Sequence, residues 1–324
     1  MARFIKKIQN FSSQYGLWEK GSRIIVGVSG GPDSVCLLDV LAFLSKKYEF
    51  ELKIAHVNYG LRGQDSLRDE KFVKEIGKKY GFRVNILRPE KNQYKGNLEN
   101  VLRNIRYKYF EKLRIEFGFD FVAVAHNQND QAETVLMKIL RGAGLNGLAA
   151  MRPKSGKIIR PFLQASRQDI LSYLKEKDLC YRSDVSNEEV DILRNKIRIK
   201  LLPQLQKEYN SAIIETLAKF SFSIVDDYEF INEKAESFLK GVFEENKVVF
   251  FDKDFLSLSR SIQRQVLRRI FATFNFGLKD ITFNQVEEII KVIKSDKKKS
   301  KKALIGGLKI SKKGAKIEIL REIK

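Results

Sequence analysis

The sequence predicts an α/β fold: a doubly wound parallel sheet in the N-terminal part, followed by a smaller α-rich C-terminal domain. Three observations predict it. Short apolar runs alternate with helix-like stretches from residue 23 to about residue 177. A Gly-Gly-Pro turn stands between the first such run and the helix-like segment after it. From about residue 212 helical segments dominate instead. A length of 324 residues suits two domains, and 43% hydrophobic content with 23 Phe is ample for their cores. The boundary is placed at 211/212, giving domains 1–211 and 212–324.

Arg23-Ile24-Ile25-Val26-Gly27-Val28-Ser29 is an apolar run bounded by Gly, the pattern of a buried parallel strand. Val35 to Tyr48 reads as a helix with Val35, Leu38, Leu41, Ala42 and Phe43 available to face a sheet. Leu52 to Asn58 reads as the second strand. Ser66-Leu67-Arg68-Asp69 has the form of a capping box opening a helix to about Tyr80. Arg83 to Leu87 is the third strand, Asn97 to Phe117 a long amphipathic helix, and Phe119 to Ala125 the fourth strand. Asp130 to Leu140 is the next helix, which Gly142 and Gly144 stop. Gly142, Gly144 and Gly147 also suit a loop that orders around substrate. Ile158 to Phe162 is extended, and Ser166-x-x-Asp169 caps a helix to about Lys177. In the C-terminal part, 212–240, 256–275 and 282–294 read as helices, and 303–305 and 316–320 as β-like runs.

Composition removes several classes of function. There are 61 Lys+Arg against 40 Asp+Glu, a net charge of +21, which points to a polyanionic partner. Residues 216–295 are neutral overall, whereas 296–324 carry eleven basic residues against three acidic ones. That basic finish reads either as a solvated tail or as phosphate contacts. No apolar stretch has the ~18 residues of a membrane span, and the N-terminus lacks a secretory pattern, so a cytoplasmic protein is expected. Two cysteines, Cys36 and Cys180, cannot build a disulfide framework or a four-thiolate metal site.

The strongest chemical signal is Ser29-Gly30-Gly31-Pro32-Asp33-Ser34, between a strand and a helix. Backbone N–H groups and a helix N-terminus converge on an anion at such a junction. Ser29 and Ser34 add hydroxyl donors. The loop has neither the Lys of Gly-x-x-x-x-Gly-Lys-Ser/Thr nor the pattern Gly-x-Gly-x-x-Gly. Asp33 would repel phosphate unless Mg²⁺ bridged the two, so Asp33 is the candidate metal ligand. Asp130 and Glu133 stand three apart on one helix face, able to hold an ammonium group or to take a proton from an attacking amine.

The hexapeptide resembles the pyrophosphate loop of the PP-loop ATPases, which implies cleavage of ATP between its α- and β-phosphates. Further segments resemble one branch of them, the bacterial tRNA(Ile)-lysidine synthetases. They are His56-Val57-Asn58-Tyr59-Gly60-Leu61-Arg62, Arg103-x-x-Arg106-Tyr107, His126-Asn127-Gln128-Asn129-Asp130-Gln131-Ala132-Glu133, Arg141-Gly142-Ala143-Gly144, Arg160-Pro161, Asp184-x-Ser186-Asn187 and Arg194-Asn195-x-Ile197-Arg198. Tyr59 departs from the family's usual second His, and Asn129 from its common Asp. The resemblance implies adenylation of the wobble cytidine in a CAU anticodon, then displacement of AMP by the amine of L-lysine. It implies ATP binding by Ser29, Gly30, Gly31, Pro32, Asp33, Ser34 and His126. It implies lysine recognition by Asp130 and Glu133, and places Asp33, Arg106, Asp130, Glu133 and Arg198 in the catalytic group. The partners it implies are tRNA(Ile), L-lysine, ATP and Mg²⁺, with no membrane; a homodimer stays open. The rival readings are a PP-loop tRNA thiolase, another AMP-forming amide synthetase, and an RNA-binding module without activity.

Overall fold

The computed structural model describes residues 1–90, 94, 98–182, 193–244, 247–274, 282–295 and 301–321. Asp184, Ser186, Asn187 and the run 297–300 lie outside these residues. The chain divides into two units, Met1–Ile224 and Val225–Lys324. The division falls at 224/225 rather than 211/212. The reason is packing: Ala218 and Phe222 join the hydrophobic core of the first unit, where Phe222 meets the ring of Phe11 at 5.8 Å.

The first unit opens with a helix that the sequence reading did not mark, α1 (Ala2–Gln14), which buries Phe4, Ile5, Ile8 and Phe11. There follow β1 (Arg23–Gly27), α2 (Pro32–Tyr48), β2 (Glu51–Val57), α3 (Gln64–Tyr80), β3 (Val84–Leu87), α4 (Leu98–Glu116), β4 (Phe121–Ala123) and α5 (Gln128–Leu140). After these come α6 (Leu145–Leu148), β5 (Lys154–Ser155), β6 (Ile158–Ile159) and α7 (Arg167–Glu176). A stretch of α8 (Leu193–Lys196), a π-helical turn (Ile197–Leu201) and α9 (Leu202–Glu208) precedes the long α10 (Ile213–Leu239).

The sheet order is β3-β2-β1-β4-β6-β5, parallel throughout except for the β5–β6 pair. Alternation along β1 explains why both faces are covered. Ile24 and Val26 enter the core with α1, α2 and α7, whereas Ile25 enters the core with Phe110 and Leu113 of α4. Phe43 of α2, expected to face the sheet, is instead 49% exposed. A Cβ on Gly27 would stand 2.8 Å from the Phe110 ring, so glycine there lets α4 close onto the end of β1. The strand order reverses between β1 and β4, and open sheets take ligands beyond the carboxyl ends of the strands at such a point. The Ser29–Ser34 loop leaves β1 there, and Ala125–Asn127 leaves β4 beside it.

Two cap expectations come out differently. Ser166 and Asp169 form a reciprocal capping box at α7. Ser66 does not, because α3 begins earlier, at Gln64, and Ser66 Oγ accepts from the Arg62 N–H at 3.1 Å instead. Gly142 takes φ +66° just after α5, so it acts as a helix stop.

The second unit contains the remainder of α10, then β7 (Phe243–Glu244), β8 (Lys247–Phe251), α11 (Asp252–Ser257), α12 (Arg260–Thr273), α13 (Phe283–Lys294), β9 (Lys301–Ile305), β10 (Leu308–Lys313) and β11 (Lys316–Arg321). The strands form an antiparallel sheet of order β7-β8-β11-β10-β9, of which the sequence reading marked parts of two strands only. Gly306 and Gly307 both take positive φ, 59° and 77°, in a two-residue hairpin turn. Val248, Phe250, Leu308, Ile310, Ile317 and Ile319 alternate onto the face covered by α12 and α13. Lys312 is also buried there, bonded to Asp252 and to the Ile293 carbonyl, both at 2.7 Å.

The described part of the basic finish is therefore sheet rather than tail. Deleting residues 301–321 removes three strands and four fully buried aliphatic side chains, so the second unit should lose its cooperative thermal transition. Calorimetry of the truncated chain checks this; an unchanged transition would contradict the packing described.

Candidate active site

The Ser29–Ser34 loop is braced by its own side chains. Ser34 Oγ donates to the Gly31 carbonyl at 2.9 Å and accepts from the Ser29 N–H at 3.2 Å. Ser29 Oγ accepts from the Gly31 N–H at 3.3 Å and meets Ser34 Oγ at 3.2 Å. The two hydroxyls, read from sequence as free donors, thus set the loop's shape. Gly30 has φ +94°, a conformation that side chains rarely adopt. Pro32 occupies the first turn of α2, where its missing N–H costs no hydrogen bond. The Arg182 N–H closes the loop from outside, donating to the Gly30 carbonyl at 2.9 Å.

Asp33 lies where this loop meets α5. Its Oδ1 accepts from Asn127 Nδ2 at 3.1 Å, and its Oδ2 is paired with Arg167. Burial raises its pKa and the nearby Asp130 adds to this, against the pull of Arg167 and Asn127. Asn127 is the N-cap of α5. Its Oδ1 accepts the N–H groups of Asn129 and Asp130 at 2.9 and 3.1 Å, and Asp130 Oδ2 returns a bond to the Asn127 N–H at 3.0 Å. One amide therefore ties Asp33 and Asp130 to one another. Asn129 Oδ1 accepts the N–H of Arg167 at 3.1 Å, so α7 is held to the same corner.

Asp130 and Glu133 do share one face of α5, and each receives two guanidinium groups. Arg194 Nε donates to Glu133 Oε2 at 2.8 Å and its Nη2 to Asp130 Oδ1 at 3.0 Å. Arg198 Nε donates to Glu133 Oε1 at 2.6 Å, and its Nη2 reaches Asp130 Oδ1 at 3.2 Å. The Glu133 side chain is 2% exposed and that of Arg198 40%. Burial works against ionising Asp130, but Arg194, the Asn127 N–H and Arg198 together hold its carboxyl below the usual range. The Arg194-x-x-x-Arg198 pair is therefore an ion-pair partner of the carboxylates, not a solvated face. The π-helical turn that contains Arg198 re-aims the chain after Arg194, a distortion often found at functional positions.

Two clefts border the loop. One, of about 220 Å³, is lined by Ser29, Gly31, Ser34, Arg106, Tyr107 and His126. The other, of about 780 Å³, is lined by Asp33, Asp130, Glu133, Arg167, Arg182 and Arg198. The expected residues are thus gathered around one loop but divided between two clefts: Arg106 and His126 on one side, Asp130, Glu133 and Arg198 on the other. Burial lowers the His126 pKa to about 3, and Arg160, Arg103 and Arg106 act in the same sense against Asp130, so the ring is neutral. His56 has a structural part: its buried Nδ1–H donates to the Val28 carbonyl at 2.8 Å. Tyr59 donates to the Leu102 carbonyl at 2.9 Å and so fastens α4 beside the first cleft.

Sequence reading gave no part to Arg167, Asn127 or Arg182. Arg167 carried no signal, being one more basic residue at a helix start. Asn127 had one: an Asn three residues before an Asp at a strand-to-helix junction is a capping pattern.

A sheet with its switch point here, and a Ser-Gly-Gly-x-Asp-Ser loop at it, define a nucleotide-binding α/β domain of the pyrophosphate-loop class. Residues 1–205 match the family model of the PP-loop domain, and the chain belongs to that family. Residues 253–313 match the TilS substrate binding domain. The chain is 35% identical over 296 residues to the tRNA(Ile)-lysidine synthase of Caldanaerobacter subterraneus subsp. tengcongensis, covering 89% of this chain and 63% of that protein. It is 36% identical over 293 residues to the tRNA(Ile)-lysidine synthase of Clostridium tetani, with the same coverage of 89% and 63%. It thus spans a little under two thirds of the length of these relatives. Among solved structures, the U34-tRNA thiolase NcsA from Methanococcus maripaludis with its [4Fe-4S] cluster superposes with a TM-score of 0.58 at 20% identity, over 69% of this chain and 79% of that one. That likeness concerns the fold.

Glu133→Gln tests the ion-pair arrangement. It should destabilise the first unit by roughly 2 kcal/mol, below the ~3–5 of a fully buried pair because Arg198 is partly solvated. Thermal denaturation reads this; a melting temperature equal to that of the unaltered protein would contradict it.

Proposed function

We propose that the chain is an ATP-dependent tRNA(Ile)-lysidine synthetase. It would join L-lysine to C2 of the wobble cytidine in a CAU anticodon and change its reading from AUG to AUA. The observation that carries this is the placement of a cation-holding carboxylate pair, Asp130 and Glu133, next to a loop shaped for a pyrophosphate. The first unit, Met1–Ile224, would form the adenylating part, and the second, Val225–Lys324, a tRNA-binding part.

In this reading the C2 oxygen attacks the α-phosphorus of ATP and pyrophosphate leaves over the loop. The lysine amine then attacks C2, AMP leaves, and a carboxylate of the pair accepts the amine's proton. Ser29, Gly30, Gly31, Pro32 and Ser34 would shape the phosphate cradle. Arg106 and His126 would line the nucleotide side, and Arg198 would meet charge developing on phosphate. Lysine would take over from Arg194 or Arg198 at Asp130 and Glu133, since an ammonium can satisfy the same oxygens. Asp33 suits Mg²⁺ that is held mainly by ATP oxygens and water: it brings one carboxylate, whose oxygens each keep a lone pair beyond Asn127 and Arg167. Among the described residues no cluster of three acids, His or Cys offers an all-protein metal site.

The tRNA reading is supported in the second unit by one face of its sheet. The strand register places Lys302, Lys309, Lys313 and Lys316 together on the side away from α12 and α13. Phe251 and Leu304, 57% and 59% exposed, share that side. Cations interleaved with apolar groups suit a phosphate backbone and its sugars. No helix among the described residues is long and apolar enough to cross a membrane. The thiolase alternative is disfavoured by the cysteines. Cys36 is in the core, where burial pushes its thiol pKa far up, and Cys180 is exposed with no cysteine near it in the sequence.

The test is incorporation of labelled lysine into CAU-anticodon isoleucine tRNA with ATP and Mg²⁺. AMP should appear in equal amount, and AMP release without lysine incorporation would overturn the proposal. In the same assay, Lys309→Gln together with Lys313→Gln should raise the KM for tRNA several-fold and flatten its salt dependence, leaving the KM for ATP alone. An unmoved KM for tRNA would remove the sheet face from the interface.

A further inference from the structure

Beside the smaller cleft stands a group of cations and hydrogen-bond donors to which neither the loop nor the carboxylate pair gives a partner. Arg160 follows β6 and is 6% exposed. Its Nη1 donates to the Arg152 carbonyl at 2.8 Å, but its Nε has no hydrogen-bond partner among the described residues. No carboxylate is among the groups that act on it electrostatically; Arg103 opposes its charge and only Tyr107 favours it. A buried guanidinium without a counter-charge is unfavourable and normally has an anion.

Tyr107 and His126 repeat the pattern. Tyr107 Oη is buried beside the Arg160 guanidinium without reaching hydrogen-bond geometry, and has no other partner among the described residues. The Tyr107 ring carries the guanidinium groups of Arg103 and Arg106 at 4.7 and 5.8 Å. Nδ1 of His126 is likewise buried and without a hydrogen-bond partner among the described residues. Arg160 Nε–H, Tyr107 O–H and a His126 Nδ1–H tautomer are three donors without an acceptor, among three arginines. Both Tyr107 and His126 line the cleft that the phosphate loop borders.

We propose that Arg103, Tyr107, His126 and Arg160 form an oxyanion subsite, separate from the Ser29–Ser34 loop, that takes a carboxylate or phosphate group of a substrate. Three donors and a surplus of positive charge match the oxygens of one such group. Asp130 interacts with His126 on one side and receives the two arginines on the other, so the subsite and the cation-holding carboxylates adjoin. An amino acid with a side-chain ammonium fits that pairing, the side-chain ammonium at Asp130 and Glu133 and the carboxylate at the subsite. The choice of this source rests on the function proposed above; the existence of the subsite does not.

Calorimetric titration of the full chain with L-lysine, with cadaverine (lysine without its carboxylate) and with ATP tests this. Arg160 variants risk misfolding through the lost Arg152 contact, so Tyr107→Phe and Arg103→Gln are used, each confirmed as folded by circular dichroism. If the subsite takes the carboxylate, the unaltered protein prefers lysine to cadaverine, and both variants lose about tenfold in lysine affinity with cadaverine unmoved. If it takes a phosphate, ATP affinity falls about tenfold instead and lysine affinity holds. Either result supports the subsite. Lysine and ATP affinities both within about twofold of the unaltered protein in both variants would overturn it, and the three donors would then face ordered water. Should the unaltered protein bind no lysine, the function proposed above fails while the ATP titration still decides the subsite.

Discussion

The side-chain amide of Asn127 is the joint on which the site depends. It caps α5 through two N–H groups, and through its own Nδ2 it holds Asp33 at the start of α2. It is 2% exposed, so these bonds form away from competing water. Because of it, the loop leaving β1 and the helix following β4 meet in one fixed relation at the point where the strand order reverses. The anion loop, the Asp130–Glu133 pair and the Arg167 contact all take their positions from that relation.

The electrostatics follow from the same placement. Asp33, Asp130 and Glu133 come together in a partly buried corner, which raises the pKa of Asp33 and obliges the other two to hold cations. Arg194 and Arg198 meet that need from a helix interrupted by a π turn. Exchange of one cation for another at the same oxygens requires no new charge to be buried, so the arrangement suits a receptor for an incoming ammonium. On the far side of the loop the balance is reversed: Arg103, Arg106 and Arg160 act on a neutral His126, opposed there by Asp130.

Much of this was legible in the sequence because it is local. β1, α2, β2, α4 and α5 were marked by apolar runs and periodicity, and the glycine pair by its place between strand and helix. That Asp130 and Glu133 share a face was legible from helical spacing; their part in a site came from the family resemblance. What was not legible depends on distant pairing. That Arg194 and Arg198 answer Asp130 and Glu133 across more than sixty residues of chain leaves no periodic trace, nor does Arg167 reaching Asp33. The sheet of the second unit was under-read because its strands are short and rich in Lys; buried Lys312 shows how a charged residue can belong to a core once Asp252 is near. Ser66 was misread because a capping box is defined by where the helix begins, and tertiary packing starts α3 earlier.

The central claim is that the Asp130–Glu133 pair is a cation receptor bordering a pyrophosphate loop. The most direct measurement is equilibrium binding of L-lysine to the full chain in the presence of ATP, comparing the unaltered protein with Asp130→Asn. The account predicts saturable binding that weakens by about tenfold or more in the variant, as expected when a charged hydrogen-bond partner is lost. Equal lysine affinity in the two proteins would contradict it.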